Sequence, residues 1–454
     1  MAKVESHDAG LNDKPGFSTI LHRPDYLRLW TGQVVSNVGT AISSLALLFF
    51  AYYLTQSALS MAILAMVRAA PVVLFSGFIG VYVDRWDRKK IMVASDATRT
   101  ILILLIPLSI YLPSNVPIIY WVYLLTFLYA SADAWFYPAR NASLPNIVEG
   151  EELITANSLS QMTFQVVQLT IPPIGGVLIA LLAPDYFLAF ALNALTFSFS
   201  AILLKGIKTD LTPVKSIDQQ ESLRSQISAG AKLVASNSIL SFLIVFAILL
   251  AVSSGVLNAL MIPHIEGGIG LGEAEIGLMM GVGAGIGIVT ALIIGKKSDM
   301  KRPLTLISLA GVVAGVSVIG FSLADGFLTV VLSWCLIASV DVMLNIPLMT
   351  LLQELVADEM RGRVFTLLST AFTSFQIIGM GLGGVWAEAI GSTVIPILAS
   401  GIGFLIVSLL AMTYLRKAHL HDKLHMMLSA SISENENVAR TTEIEISETL
   451  VVEK

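Results

Sequence analysis

Apolar residues along this chain come in runs of 18 or more, separated by short polar stretches. A run of that length crosses a bilayer core of ~30 Å at ~1.5 Å per residue. In lipid each segment must satisfy its own backbone polar groups, so every run predicts a helix. The pattern gives twelve spans: 30–54, 58–83, 91–112, 116–135, 158–182, 186–204, 239–261, 276–295, 303–323, 327–347, 364–389 and 393–415. The longest polar interruption, 206–238, divides them into two groups of six. The expected organisation is therefore an N-terminal segment 1–29, a six-helix bundle 30–205, a linker 206–238, a second six-helix bundle 239–415 and a tail 416–454. The first 26 residues are mixed polar and show no cleavable signal pattern. The tail is rich in Ser, Thr and Glu and reads as a disordered acidic extension.

Within the spans, polar side chains keep helical spacing. Gln161, Gln165 and Gln168 follow i, i+4, i+7 and share one face. Ser369, Thr373 and Gln376 repeat that arrangement, and Gln33, Asn37, Thr40 and Ser44 form a third stripe. An amide facing lipid is costly, so these faces are expected to line the bundle interior or a wet cavity. Helix–helix hydrogen bonding without transport is the plainer explanation of any single stripe.

Composition agrees with the pattern: 55% of residues are hydrophobic and only 13% charged, against ~25% charged in soluble chains. Two arginines, Arg68 and Arg99, fall within spans; the other 25 of the 27 basic residues lie in segments on one side of the predicted topology. The positive-inside rule makes that side cytoplasmic and puts both termini there. The net charge of −5 leaves no basic surface for nucleic acid. A single cysteine, Cys335, excludes an intrachain disulfide and a thiolate metal cage.

The two halves resemble each other at a shift of 208 to 215 residues. Gly80 to Asp84, between spans 2 and 3, matches Gly295 to Asp299 between spans 8 and 9. Asp133 in span 4 matches Asp341 in span 10, with Pro138 and Pro347 following. Gln161, Gln165, Gln168, Gly175 and Gly176 match Ser369, Thr373, Gln376, Gly383 and Gly384. Such repeats predict two related bundles with a substrate path near the midplane.

The segment Gly80-Val-Tyr-Val-Asp84-Arg85-Trp86-Asp87-Arg88-Lys89-Lys90 resembles the loop signature of the major facilitator superfamily, G-x-x-x-D-R-x-G-R-K/R, with Asp87 at the usual glycine. Leu29-Trp30-Thr-Gly-Gln33, Arg68-Ala-Ala-Pro71, Ala156-Asn157-Ser158-Leu159 and Arg361-Gly-Arg363-Val364 are similar to the bacterial exporter branch that includes macrolide efflux proteins and the enterobactin exporter. The resemblance covers residues 20 to 415. It implies an all-α membrane protein of twelve transmembrane helices in two pseudo-symmetric bundles, located in the bacterial plasma (inner) membrane. It also implies proton-coupled export of a small amphipathic molecule, such as a drug, macrolide or siderophore, by a monomer. Gly80, Asp84, Arg85, Arg88, Lys89 and, in the degenerate copy, Asp299 are then gate residues, and Asp133 pairs with Arg88 as a conformational lock.

Other residues add detail. Pro172, Gly175 and Gly176 resemble the antiporter signature G-P-x-x-G-G with Ile171 at its first glycine, and Gly379, Gly383 and Gly384 echo it in span 11. Small residues there suit close helix approach or ordinary tight packing. Arg68 lies about ten residues into span 2, where a basic side chain costs ~2.5–3.5 kcal/mol by insertion scales, making it a candidate substrate- or proton-linked charge. Asp341 and Asp133 are candidate proton carriers, and Asp96 with Arg99 form an i, i+3 pair. The string Gly379-x-Gly381-x-x-Gly384 copies a dinucleotide fingerprint but lies in an apolar span without a βαβ context, and no Walker loop exists. No cofactor, nucleotide or enzymatic activity is expected. A lysophospholipid, metabolite or cation/proton transporter, and a non-transporting receptor on the same bundle, stay open alternatives.

Overall fold

The computed structural model describes residues 16–111, 115–148, 152–183, 185–213, 223–295, 303–356 and 358–417. Among these residues there are fourteen α-helices and no strand. They are α1 (Phe17–Leu21), α2 (Pro24–Thr55), α3 (Ala58–Val83), α4 (Arg88–Leu108), α5 (Ile118–Ile147), α6 (Glu152–Leu182), α7 (Phe187–Lys205), α8 (Leu223–Ser236), α9 (Ser238–Ile262), α10 (Glu273–Gly295), α11 (Pro303–Ser322), α12 (Phe327–Leu355), α13 (Asp358–Ile390) and α14 (Val394–Lys417). Twelve of them, all but α1 and α8, are long and apolar enough to cross a membrane. A π-helical turn, Pro263–Ile269, prolongs α9.

Several helices outrun their apolar runs. α2 starts at Pro24 rather than residue 30, α5 continues to Ile147 rather than 135, and α12 to Leu355 rather than 347. Hydropathy marks where a helix can sit in lipid, whereas backbone hydrogen bonding continues until a cap or a break stops it. Pro24 enters in the first turn of α2, where a missing N–H costs nothing. The Ser57 hydroxyl caps α3 by accepting the Ser60 amide at 3.2 Å, and the Asn237 carboxamide caps α9 by accepting the Ile239 amide at 2.9 Å. Asp299 and the tail from 418 onward lie outside the described residues.

The chain divides into two compact units: Met1–Gln219 with Leu271–Gly281, and Gln220–Gly270 with Val282–Lys454. In the first, an apolar cluster around Tyr26, Ile79, Met92, Phe136, Leu144 and Leu204 seals the end that carries the loop between α3 and α4. The chain leaving α7 is held to the same end, because the Asp25 carboxylate accepts the Lys208 and Thr209 amides at 3.0 and 2.8 Å. In the second unit α9 and α13 meet backbone to backbone. A Cβ placed on Gly379 would land on the Val252 carbonyl, and one on Gly255 would land on the Gln376 carbonyl. His264 braces one end: its Nε2–H donates to the Phe321 carbonyl at 3.1 Å, and Nδ1 lies 3.0 Å from the Thr393 hydroxyl.

Candidate functional site

The loop between α3 and α4 is short, and Trp86, Asp87, Arg88 and Lys89 are each held by named partners. Asp87, which stands where the family signature has glycine, is the N-cap of α4, its Oδ1 accepting the amides of Lys89 at 3.0 Å and Lys90 at 3.3 Å. A carboxylate at a helix start is also favoured by the macrodipole. Trp86 stacks on Trp135 of α5, with ring centroids 6.1 Å apart and planes 8° from parallel. Lys89 Nζ donates to the Ile207 carbonyl at 2.8 Å. Arg88 Nη1 donates to the Ala142 carbonyl at 2.8 Å and to Asn146 at 3.0 Å. Gly80 and Arg85 are exposed, and a Cβ on Gly80 would meet nothing.

The expected lock between Arg88 and Asp133 is not what the structure contains. Ala142 is nine residues beyond Asp133 on α5, about 13 Å along the axis at the α-helical rise, so an Arg88 held at Ala142 is out of reach. Asp133 is bound instead by Arg99 Nη1 at 2.5 Å, while Nη2 of the same guanidinium donates to Asp96. Arg99 is 3% exposed and Asp96 0%. The rings of Phe136 and Phe197 cover the guanidinium, with centroids 4.6 and 4.4 Å from its central carbon. Desolvating such a cation is expensive, and two carboxylates with two ring faces offset the expense. Nothing in the sequence singled out the two phenylalanines.

Other first-unit residues serve packing and polar pairing. Arg68, on α3, donates from Nη2 to the Ser44 hydroxyl on α2 at 2.6 Å. Of the α2 stripe, Gln33 is buried and Asn37 accepts the Tyr137 hydroxyl at 3.1 Å. Gln161, Gln165 and Gln168 lie on a face of α6 that is exposed. Sequence reasoning also overlooked Arg140, which is buried, with Nη2 donating to Ser160. Tyr26, buried beside it, donates to the Ala156 carbonyl at 2.9 Å. An arginine set between Pro138 and Pro145, just past an apolar run, was the available signal.

The second unit holds a cavity of about 380 Å³ between α9, α11, α12, α13 and α14. Its wall is chiefly aliphatic and aromatic. Asp341 and Asn345 enter it from α12, Ser369 and Thr373 from α13, and Ser254 from α9. Asn345 Nδ2 donates to the Asp341 carboxylate at 2.9 Å, fixing its orientation while the side chain stays open to the cavity. Among the described lining residues Asp341 carries the one ionisable group. Gln376, one helical turn from Thr373, reaches Ser254 at 3.4 Å. The volume falls in the range of small-molecule pockets.

The glycine motifs serve close packing. In the first unit a Cβ on Gly176 would strike the Cα of Gly277, within the Leu271–Gly281 stretch of α10 that belongs to this unit, and Gly175 lies against Ile42 and Leu45. Pro172 continues α6 without ending it. In the second unit Gly379 and Gly383 take backbone contact from Val252 and Val256, and Gly384 is buried beside them.

The family described as the Major Facilitator Superfamily matches residues 29–379. Macrolide efflux protein A of Streptococcus pyogenes is 25% identical over 378 residues, 81% of this chain and 90% of that protein. The enterobactin exporter EntS of Shigella boydii serotype 18 is 26% identical over 344 residues, 74% of this chain and 78% of that protein. A crystal structure of a bacterial homologue of the iron transporter ferroportin in an inward-facing state superposes with a TM-score of 0.66, covering 85% of this chain and 98% of the other at 16% identity. At that identity the likeness shows the fold alone.

Proposed function

Because the chain belongs to the Major Facilitator Superfamily, we propose that it exports a small amphipathic organic compound in exchange for protons, by alternating access and as a monomer. That the protein is a multi-pass membrane transporter and no enzyme follows from the family and from relatives named as efflux proteins. The exchange reading rests on one observation, the carboxylate of Asp341 set in the wall of an apolar cavity. A carboxylate exposed to a cavity can take up and release a proton as the cavity changes the side on which it opens. When the cavity opens to the cell interior, substrate enters and the proton leaves; when it opens outward, the proton returns and substrate departs. In the second unit Thr373 and Gln376 offer hydrogen-bonding positions to the substrate; in the first unit the glutamines of α6 do so, and Arg68 adds one fixed positive charge.

The loop of Asp84, Arg85, Arg88 and Lys89 acts as the gate element, together with its counterpart at Asp299. Its charges, with those of the other basic segments, lie on the cytoplasmic side, as do both termini. Everted membrane vesicles test the reading. On acidification of the lumen they accumulate a fluorescent macrolide or another amphipathic drug, a protonophore abolishes uptake, and Asp341→Asn lowers it by about 100-fold, as expected when an obligatory proton site is removed. Wild-type uptake that ignores the protonophore would exclude proton exchange. Uptake into whole cells rather than depletion would reverse the direction.

A further inference from the structure

We infer that the second-unit cavity receives an organic cation, a protonated amine or guanidinium on an apolar body, with Asp341 as its counter-ion. The inference takes its direction of movement from the export reading, whereas its chemistry rests on the two halves alone. In the first half the aspartate of α5, Asp133, is answered by a cation belonging to the chain: Arg99 of α4, bound to two carboxylates and covered by Phe136 and Phe197. The sequence repeat says where the matching cation would be in the second half. At the 208-residue shift that carries Asp133 onto Asp341, Arg99 falls on Ile307; at the 215-residue shift that carries Asp84 onto Asp299, it falls on Ala314.

Ile307 and Ala314 both line the cavity. No residue of α11, from Pro303 to Ser322, carries a charge. The second half therefore keeps the acid of the arrangement and lacks the base, and open volume occupies the register where the base stood. The aromatic covering persists from other positions, since Phe246, Phe365, Phe372 and Phe404 all face the cavity. Rings of this kind attract a cation through their faces, and desolvation strengthens the attraction. An anionic guest would find the Asp341 carboxylate and no basic side chain among the described lining residues. A neutral guest would gain nothing from the carboxylate and would leave it without a charge partner.

The test uses the full chain in detergent and two probes of the same shape and opposite sign, tetraphenylphosphonium and tetraphenylborate. Equilibrium dialysis should give the wild-type protein an affinity for the phosphonium about tenfold or more above that for the borate. Asp341→Asn should weaken phosphonium binding by about tenfold, and Asp341→Glu, which keeps the charge, should hold it within about threefold of wild type. Unchanged phosphonium binding in Asp341→Asn, or a preference for the borate in the wild type, would overturn the inference. Transport separates this inference from the export reading. Proton-driven depletion of an anionic catecholate by a protein that ignores the phosphonium would sink the cation site and leave export standing. Asp341-dependent phosphonium binding in a protein that exports nothing would do the reverse.

Discussion

In the first unit the charge on Asp133 is neutralised from within: Arg99 reaches it from the neighbouring helix, takes Asp96 at its other nitrogen and lies under two aromatic rings. In the second unit Asp341, in matching register, has an asparagine one turn away and open volume in front of it. The same residue on the same helix of a repeat thus has two physical roles, set by whether the adjacent helix carries a cation. A buried ion pair resists rearrangement, because separating it strands a charge. A carboxylate facing a cavity can exchange its partner.

Four substitutions break or sharpen that contrast. The largest effect is expected from Arg99→Ala, which strands the Asp96 carboxylate and should lower stability by about 3–5 kcal/mol. Thermal melts of the purified protein would show it, and adding Asp96→Asn should restore much of the loss by removing the orphaned charge. A melt unaltered by Arg99→Ala would mean that the first unit's network carries no structural load. Next is Gly379→Ala, in the second unit, where the new methyl meets the Val252 carbonyl; forcing α9 and α13 apart should cost about 1–3 kcal/mol, read as a lower midpoint in the same melts. Asp87→Ala removes the α4 cap and should cost about 1 kcal/mol, together with faster proteolysis at the loop between α3 and α4. The smallest change belongs to Asp341→Asn, whose stability should stay within about 0.5 kcal/mol of wild type because no cation among the described residues pairs with it. If it melted as low as Arg99→Ala, the two aspartates would be equivalent after all.

Much of this architecture is legible from the residues. Twelve apolar runs give twelve long helices because hydropathy and the demand for internal backbone hydrogen bonds act on each segment alone. The pairing of Asp96 with Arg99 is legible for the same reason, being three apart on one helix. The partner of Asp133 is not, since Arg99 lies 34 positions away on another helix and its selection depends on how α4 packs against α5. Family likeness pointed to Arg88, and the extension of α5 to Ile147 gives that arginine nearer acceptors in Ala142 and Asn146. Asp87 reads as a departure from a glycine pattern, yet an acid just before a helix is a cap signal in its own right. The cavity is the least legible feature, because it depends on how five helices of the second unit pack, and an uncharged helix such as α11 is unremarked until its repeat partner is placed beside it.

The self-contained salt network of the first unit also bears on how such a protein changes over generations. Its scaffold charge is met inside the first unit, so substitutions around Asp341, at Leu344 or Leu348 for example, can reshape the second-unit cavity while that network stays intact. One half supplies constancy and the other supplies room for novelty.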